Sequence, residues 1–231
     1  MQNIFKKLEK VGQVTVMETM KVVLIERPQR YFTETGDREF LCLMQQVASS
    51  AFGIDIDLGG ADGVYSHVIT VDILSIAYND QAIMGFASVN LLPHLQTLFL
   101  QGVAIAPLFQ NYGLAKKLVK PILAKFATWK YASCTTQNPI VYLLFQQLCQ
   151  SLYPETQSPI PPEITSLAIK IMPHRLNQLG LNNLTIKNFY DSCMYRQIPK
   201  VPNHVINELF ARALNIRNGT SRDAFLLIGK L

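Results

Sequence analysis

The most constraining stretch of this chain runs from Thr97 to Lys120, where an apolar strand pattern breaks at a proline and a glycine turn opens a basic helix. It reads Thr97-Leu-Phe-Leu-Gln-Gly-Val-Ala-Ile-Ala-Pro107, then Leu108-Phe-Gln110-Asn-Tyr-Gly113-Leu-Ala115, then Lys116-Lys-Leu-Val-Lys120. Pro107 lacks the N–H that a central ladder requires, so the strand has to end there. The first amides of the helix that follows have no internal acceptor and stand at the positive end of its dipole. Small residues such as Gly113 and Ala115 let an anion approach those amides closely. The pattern therefore predicts a strand, a turn shaped for a phosphate, and a helix whose Lys116, Lys117 and Lys120 add long-range attraction.

The charge distribution points the same way. Between Gln81 and Pro154 there is no Asp or Glu, yet there are five lysines, at 116, 117, 120, 125 and 130. The other 16 bases and the 16 acids cancel, so this segment carries the whole net charge of +5. A field concentrated on one helix favours a polyanionic ligand, while Lys125 and Lys130 read as a solvated helix face. Five lysines without arginine or interleaved aromatics make a poor nucleic-acid track, so no nucleic-acid partner is expected.

Composition sets the remaining bounds. With 231 residues, 49% apolar and 16% charged, the chain can bury a core, and no linker divides it, so a single domain over 1–231 is expected. No apolar run reaches membrane-spanning length and no apolar core follows the N-terminal lysines, which predicts a cytoplasmic protein without a membrane partner. The four cysteines (42, 134, 149, 193) form no C-x-x-C pair and the four histidines (67, 94, 174, 204) are scattered. They read as reduced thiols and predict no metal site.

Periodicity predicts an α/β alternation. Val14–Met17 and Lys21–Glu26 read as strands, and Thr35-Gly-Asp-Arg as the cap of a helix carrying Phe40, Leu41, Leu43, Met44, Val47 and Ala48 toward Gly53. After a turn-rich stretch at 54–66, Val68–Tyr78 and Ala82–Asn90 flank Asn79-Asp-Gln as a hairpin. Leu98–Ile105 is the strand before the glycine turn, and Ala115–Trp129 is a helix interrupted at Pro121. Tyr131–Thr135 is a strand, and Asn138-Pro139 opens a helix with proline at its first position. A proline-rich break at 153–162 precedes helices at 164–179 and 203–214, an irregular stretch at 181–202 and a last strand, Ala224–Leu231.

This order, with Gln110-x-x-Gly113-x-Ala115 at the turn, resembles the GNAT superfamily of acyl-CoA-dependent N-acetyltransferases. Gln110, Gly113 and Ala115 fill the family's R/Q-x-x-G-x-G/A motif, and Val103-Ala-Ile-Ala-Pro107 is similar to its V-A-V/I-x-P strand ending. The resemblance covers about 20–150 plus the final strand at 224–231, and leaves 151–223 as a helical and irregular elaboration shaping the acceptor side. It implies a mixed, mostly antiparallel central sheet flanked by helices, with a V-shaped splay between the two central strands. It also implies acetyl-CoA as acyl donor, with no metal. The coenzyme diphosphate would lie on the amides of Gln110, Asn111, Tyr112, Gly113, Leu114, Ala115 and Lys116, and the pantetheine along Val103, Ala104 and Ile105. Asn138 would help to hold the pantetheine, a role open beside that of a helix cap.

The implied chemistry is direct attack of a primary amine on the thioester in a ternary complex. The family often has a tyrosine seven residues after the asparagine to protonate the thiolate, and here that position is Phe145. Tyr142, one helical turn after Asn138, is the candidate acid, or else an aromatic anchor. His94 is the first candidate base, with Asp72, His67 and Glu39 as weaker options. The acceptor would be a small-molecule or peptide amine, lined by Phe189, Tyr190, Tyr195 and Arg196, and a homodimer is allowed. The alternative is a catalytically inactive acyl-CoA-binding regulatory domain, which Phe145 and the missing carboxylate would suit.

Overall fold

The computed structural model describes residues 1–17, 20–60, 63–156, 158–195, 199–216 and 221–231. Its contacts divide the chain into two compact units, Met1–Leu91 with Leu100–Thr128, and Leu92–Phe99 with Trp129–Leu231.

The first unit contains α1 (Gln2–Val11), β1 (Gln13–Met17), β2 (Met20–Glu26), α2 (Arg38–Phe52), α3 (Val64–Val68), β3 (Ile73–Tyr78) and most of β4 (Ile83–Leu92) and β5 (Thr97–Ile105), followed by α4 (Leu114–Lys125). Its strands neighbour one another in chain order, and β1–β2, β2–β3 and β3–β4 are antiparallel. The β3–β4 turn forms because Asn79 Oδ1 accepts from the amides of Gln81 (3.0 Å) and Ala82 (2.9 Å), a side-chain mimic of a backbone turn. Along α2, Phe40, Leu41, Met44, Val47 and Ala48 are buried, the stripe that a 3.6-residue period brings to one face. Gly53 ends that helix at φ 72°, a left-handed position that glycine adopts without a Cβ clash. Together with Leu8, Val23, Ile25, Leu74, Ile76, Phe86 and Ala104 this stripe forms one core.

Three boundaries in this unit differ from the sequence reading. Val68 ends a helix rather than opening a strand, because Val64 and Val68 lie one turn apart and are both buried, and β3 begins only at Ile73. The cap position of α2 falls on Asp37, whose carboxylate accepts from the Thr33 amide at 3.0 Å and pairs with Lys7 instead of capping the helix. Helix α4 stops at Lys125, four residues early, where the Phe126 amide bonds to the carbonyls of Ile122 and Leu123. Pro121 lies inside α4 and leaves the Lys117 carbonyl without its usual donor.

The second unit contains β6 (Tyr131–Thr136), α5 (Pro139–Leu148), β7 (Ser151–Tyr153), α6 (Pro162–Ile171), β8 (Leu179–Gly180), β9 (Thr185–Ile186), α7 (His204–Ala213) and β10 (Ala224–Lys230). Strand β10 lies between β6 and β9, with β7 also on it, and all three pairings are antiparallel. Every residue of β10 except Lys230 is buried. At Gly229 a Cβ would stand 2.3 Å from the Cys149 sulfur, so only glycine lets α5 end this close to the strand. The helix expected at 164–179 ends at Ile171, since Pro173 cannot donate and forces Met172 out of the helical region. The α/β class with a mostly antiparallel sheet flanked by helices is what both the family resemblance and the structure give. Among the described residues, no helix is long and apolar enough to cross a membrane.

One buried side chain fastens the strand ends of this unit. Gln137 is almost fully buried, donates to the carbonyls of Ser221 (2.9 Å) and Asp223 (2.8 Å), and accepts from the Met194 amide (3.0 Å). Gln137→Leu keeps the volume but strands three backbone groups, so thermal unfolding should show a loss of about 2–4 kcal/mol.

Candidate active site

The glycine turn lies wholly in the first unit. Along β5, Leu100 and Ala104 are buried while Val103 and Ile105 are half-buried, the alternation that a pleated strand imposes. The Ala106 amide donates to the Met84 carbonyl at 2.9 Å, and Pro107–Phe109 then form a single 3-10 turn. Gln110 closes this turn from the other side, because its Nε2 donates to the Ile105 carbonyl at 2.9 Å. The side chain of the motif's first residue is therefore a staple between the turn and the end of β5.

Beyond the staple the backbone reverses twice. Asn111 and Gly113 are both left-handed, at φ 68° and 69°, and they bracket the exposed Tyr112. Among the described residues the amides of Asn111, Tyr112, Gly113, Leu114 and Ala115 have no acceptor, and the first helical bond runs from the Lys117 amide to the Gly113 carbonyl at 3.2 Å. Leu114 is buried and pins the start of α4 to the core, while Asn111, Tyr112 and Gly113 face solvent. No heavy atom lies within 4 Å of where a Gly113 Cβ would stand, so this side of the turn is open. Five consecutive amide donors, with Lys117 and Lys120 exposed on the following turns, form a donor set that fits a diphosphate. Lys125 instead pairs with Glu26.

Two glycines that the sequence reading passed over shape the strand beside this turn. At Gly85 on β4, a Cβ would meet the Ala104 carbonyl oxygen at 2.7 Å and Ile105 Cδ1 at 2.7 Å. An isolated glycine inside a strand pattern is a signal of such close backbone approach. At Gly102 on β5, a Cβ would have Ser88 Oγ at 3.6 Å and His67 Nδ1 at 4.0 Å as neighbours. Ser88 is fully buried and its hydroxyl has no partner among the described residues, an arrangement that costs stability unless another group supplies the bond. Of the weaker base candidates, His67 is thus beside β5. Asp72 spends its carboxylate on the Leu91 amide at 2.8 Å, and Glu39 pairs with the N-terminal amine at 3.2 Å.

The remaining candidates belong to the second unit. Asn138 caps α5, with Oδ1 accepting from the Ile140 amide at 2.8 Å, and Nδ2 donating to the Tyr195 hydroxyl at 3.1 Å. One of its amide protons is left for another acceptor. Tyr142 is buried, stacks edge-on against Phe210 and donates its hydroxyl proton to the Pro154 carbonyl at 2.9 Å. Burial, and then the charge of Glu155, push its proton affinity up. Phe145 is buried beside it on the same helix. His94 is exposed in the 3-10 turn Pro93–Leu95. Phe189 and Tyr190 pack edge to face, with the Arg175 guanidinium over Phe189; Arg196 lies outside the described residues. Among the described residues no group of three His, Cys, Asp or Glu could hold a metal ion.

Comparison with known proteins agrees with the motif. Residues 65–149 match the model of the acetyltransferase (GNAT) family, a span running from α3 through the glycine turn to the end of α5. This segment is similar to the GNAT acetyltransferases, a class whose chemistry is acetyl transfer. Among solved structures the chain is similar to the ribosomal-protein-S18-alanine N-acetyltransferase of Escherichia coli, at 10% identity and a TM-score of 0.46, covering 90% of this chain and 93% of that one. It is also similar to N-acetylglutamate synthase from Neisseria gonorrhoeae, complexed with coenzyme A and N-acetyl-glutamate, at 12% identity and 0.42, covering 91% of this chain and 35% of that one. A third is the IAA acetyltransferase from Bacillus cereus, at 15% identity and 0.42, covering 91% and 99%. No curated protein matches the sequence.

Two substitutions check this description. Gly85→Ala forces β4 away from the Ala104 carbonyl, so it should weaken coenzyme A binding in calorimetry while Gly102→Ala, which meets only ordinary contacts, leaves that affinity within about twofold. Tyr142→Phe should lower stability by about 1 kcal/mol in thermal melts, the net value of one hydrogen bond, and leave coenzyme A affinity unchanged.

Proposed function

We propose that this protein transfers an acetyl group from acetyl-CoA to a primary amine by direct attack within a ternary complex. The observation that carries the reading is the run of acceptor-free amides from Asn111 to Ala115 at the start of α4. Such a nest holds a diphosphate with fixed donors and no side-chain entropy to lose. The exposed Lys117 and Lys120 draw the anion in, and no carboxylate between Gln81 and Pro154 opposes it. The pantetheine then runs back along β5 past Ile105 and Val103, which leads the thioester toward Gly102.

At that end of β5 the acceptor amine attacks the thioester carbonyl, the C–S bond breaks and coenzyme A leaves as its thiolate. A thiolate is a good enough leaving group to depart without a proton donor, so neither a tyrosine at position 145 nor the hydroxyl of Tyr142 is required. We assign the amine's proton to His67, whose imidazole reaches the Gly102 face of β5 and is a side chain of the kind that takes up protons in general base catalysis. Ser88, buried beside the same glycine, has a hydroxyl available to the acceptor. The acceptor is a small-molecule or peptide amine, a class that includes the L-2,4-diaminobutyric acid found with a similar acetyltransferase from Paenibacillus lautus. A regulatory domain without catalysis would share the cradle but has no use for the His67–Ser88 pair beside Gly102.

Two measurements test the proposal. Calorimetry should show one acetyl-CoA site per chain, and Ala115→Pro should weaken it about tenfold or more by deleting one amide donor to a charged group, since proline is tolerated in the first helical turn. Undiminished affinity in that variant would remove the cradle from the account. With a panel of amines, His67→Gln should lower turnover by about a hundredfold, with acetyl-CoA affinity retained. Turnover equal to that of the unaltered protein would reject His67.

A further inference from the structure

The connection that carries the amide cradle also carries the two most exposed large apolar side chains among the described residues, Leu108 at 85% and Tyr112 at 75%. Scattered apolar side chains on a surface need no explanation, but these two lie four residues apart on one short loop, on either side of Gln110. The backbone holds them there. Pro107–Phe109 is a 3-10 turn, Gln110 is stapled to the Ile105 carbonyl, and the left-handed Asn111 and Gly113 fix the residue between them. Tyr112 makes no hydrogen bond, ring contact or cation–π contact with any described residue. Its own amide is one of the five unpaired donors, so a diphosphate held by those donors brings whatever it carries next to this ring.

We propose that Tyr112, with Leu108 beside it in the loop, is the platform on which the adenine ring of coenzyme A stacks. The inference rests on the reading of Asn111–Ala115 as the diphosphate cradle and extends it from phosphate to base. A coenzyme bound at the cradle has two ends leaving it. The pantetheine follows β5, and the nucleotide must turn the other way, out over the exposed face of the loop. A purine gains from an aromatic face there regardless of hydrogen-bond pattern, and base stacking on one aromatic side chain is worth about fivefold to more than a hundredfold in affinity. With the backbone fixed on both sides, stacking has only the two side-chain torsions of a tyrosine left to order. Lys117 and Lys120, exposed on α4 just beyond the loop, add charge for the phosphate on the ribose.

The test is calorimetric titration of the full chain with coenzyme A and with 4′-phosphopantetheine, which keeps one phosphate and lacks the 3′-phosphoadenylate half. Tyr112→Ala should weaken coenzyme A about tenfold or more, Tyr112→Phe should bind it as the unaltered protein does, and neither variant should change the affinity for 4′-phosphopantetheine. An unchanged affinity of Tyr112→Ala for coenzyme A would overturn the platform. So would a loss as large in Tyr112→Phe, or a loss shared equally by 4′-phosphopantetheine, since the side chain would then act through its hydroxyl or through the turn. If the unaltered protein binds neither compound, the cradle itself falls and the platform with it, a result distinct from all the others.

Discussion

Everything proposed for this protein depends on a short run of backbone amides kept from finding acceptors. The chain between Pro107 and Leu114 could satisfy them by continuing as helix, and three features prevent it. Gln110 ties the loop to the end of β5, Asn111 and Gly113 turn left-handed, and Leu114 is drawn into the core, so α4 begins at a fixed point with its first donors outward. Keeping donors unpaired costs little in water, where solvent serves them, and they are worth much more against an anion that they surround. The placement of a charge-poor sequence with lysines but no carboxylates around this point makes the electrostatic and hydrogen-bonding preferences agree.

The rest of the first unit serves to hold β5 in place behind that turn. Buried residues of α2 and α3 pack on the face that carries Leu74, Phe86 and Ala104, and Gly85 lets β4 approach the last residues of β5 more closely than any side chain would allow. The same face turns polar at Gly102, where Ser88 and His67 stand. A buried hydroxyl without a partner is tolerated in a core when a bound group completes it, which is why this spot is assigned to the acceptor. The second unit is organised differently, around β10 and the fully satisfied amide of Gln137, and its Tyr142 spends its hydroxyl on the chain rather than on a substrate.

Much of this was legible in the residues. Strands β2, β5, β6 and β10, the α2 stripe, the hairpin at Asn79 and the glycine turn follow from periodicity and from the chemistry of proline, glycine and asparagine, all of which act over a few residues. Helix ends were less legible, because α4 and α6 stop where tertiary contacts or a nearby proline intervene before the apolar pattern ends. Gly85, Gly102, Ser88 and Gln137 could not be read as site or clamp residues, since each matters through a neighbour far away in sequence: Ala104 for Gly85, His67 for Gly102, and Ser221 for Gln137. Tyr142 shows the converse. Its spacing from Asn138 suggested chemistry, while its partner, Pro154, lies in a stretch where sequence pattern gives no geometry.

The central claim is that main-chain amides, and not side chains, hold the coenzyme diphosphate. Amide proton and nitrogen shifts followed by NMR during titration with acetyl-CoA address it most directly. The account predicts that Asn111, Tyr112, Gly113, Leu114 and Ala115 move downfield together, as donors do when they gain a charged acceptor, and saturate with a single affinity. Shifts confined to other residues, with these five amides unmoved at saturation, would contradict it.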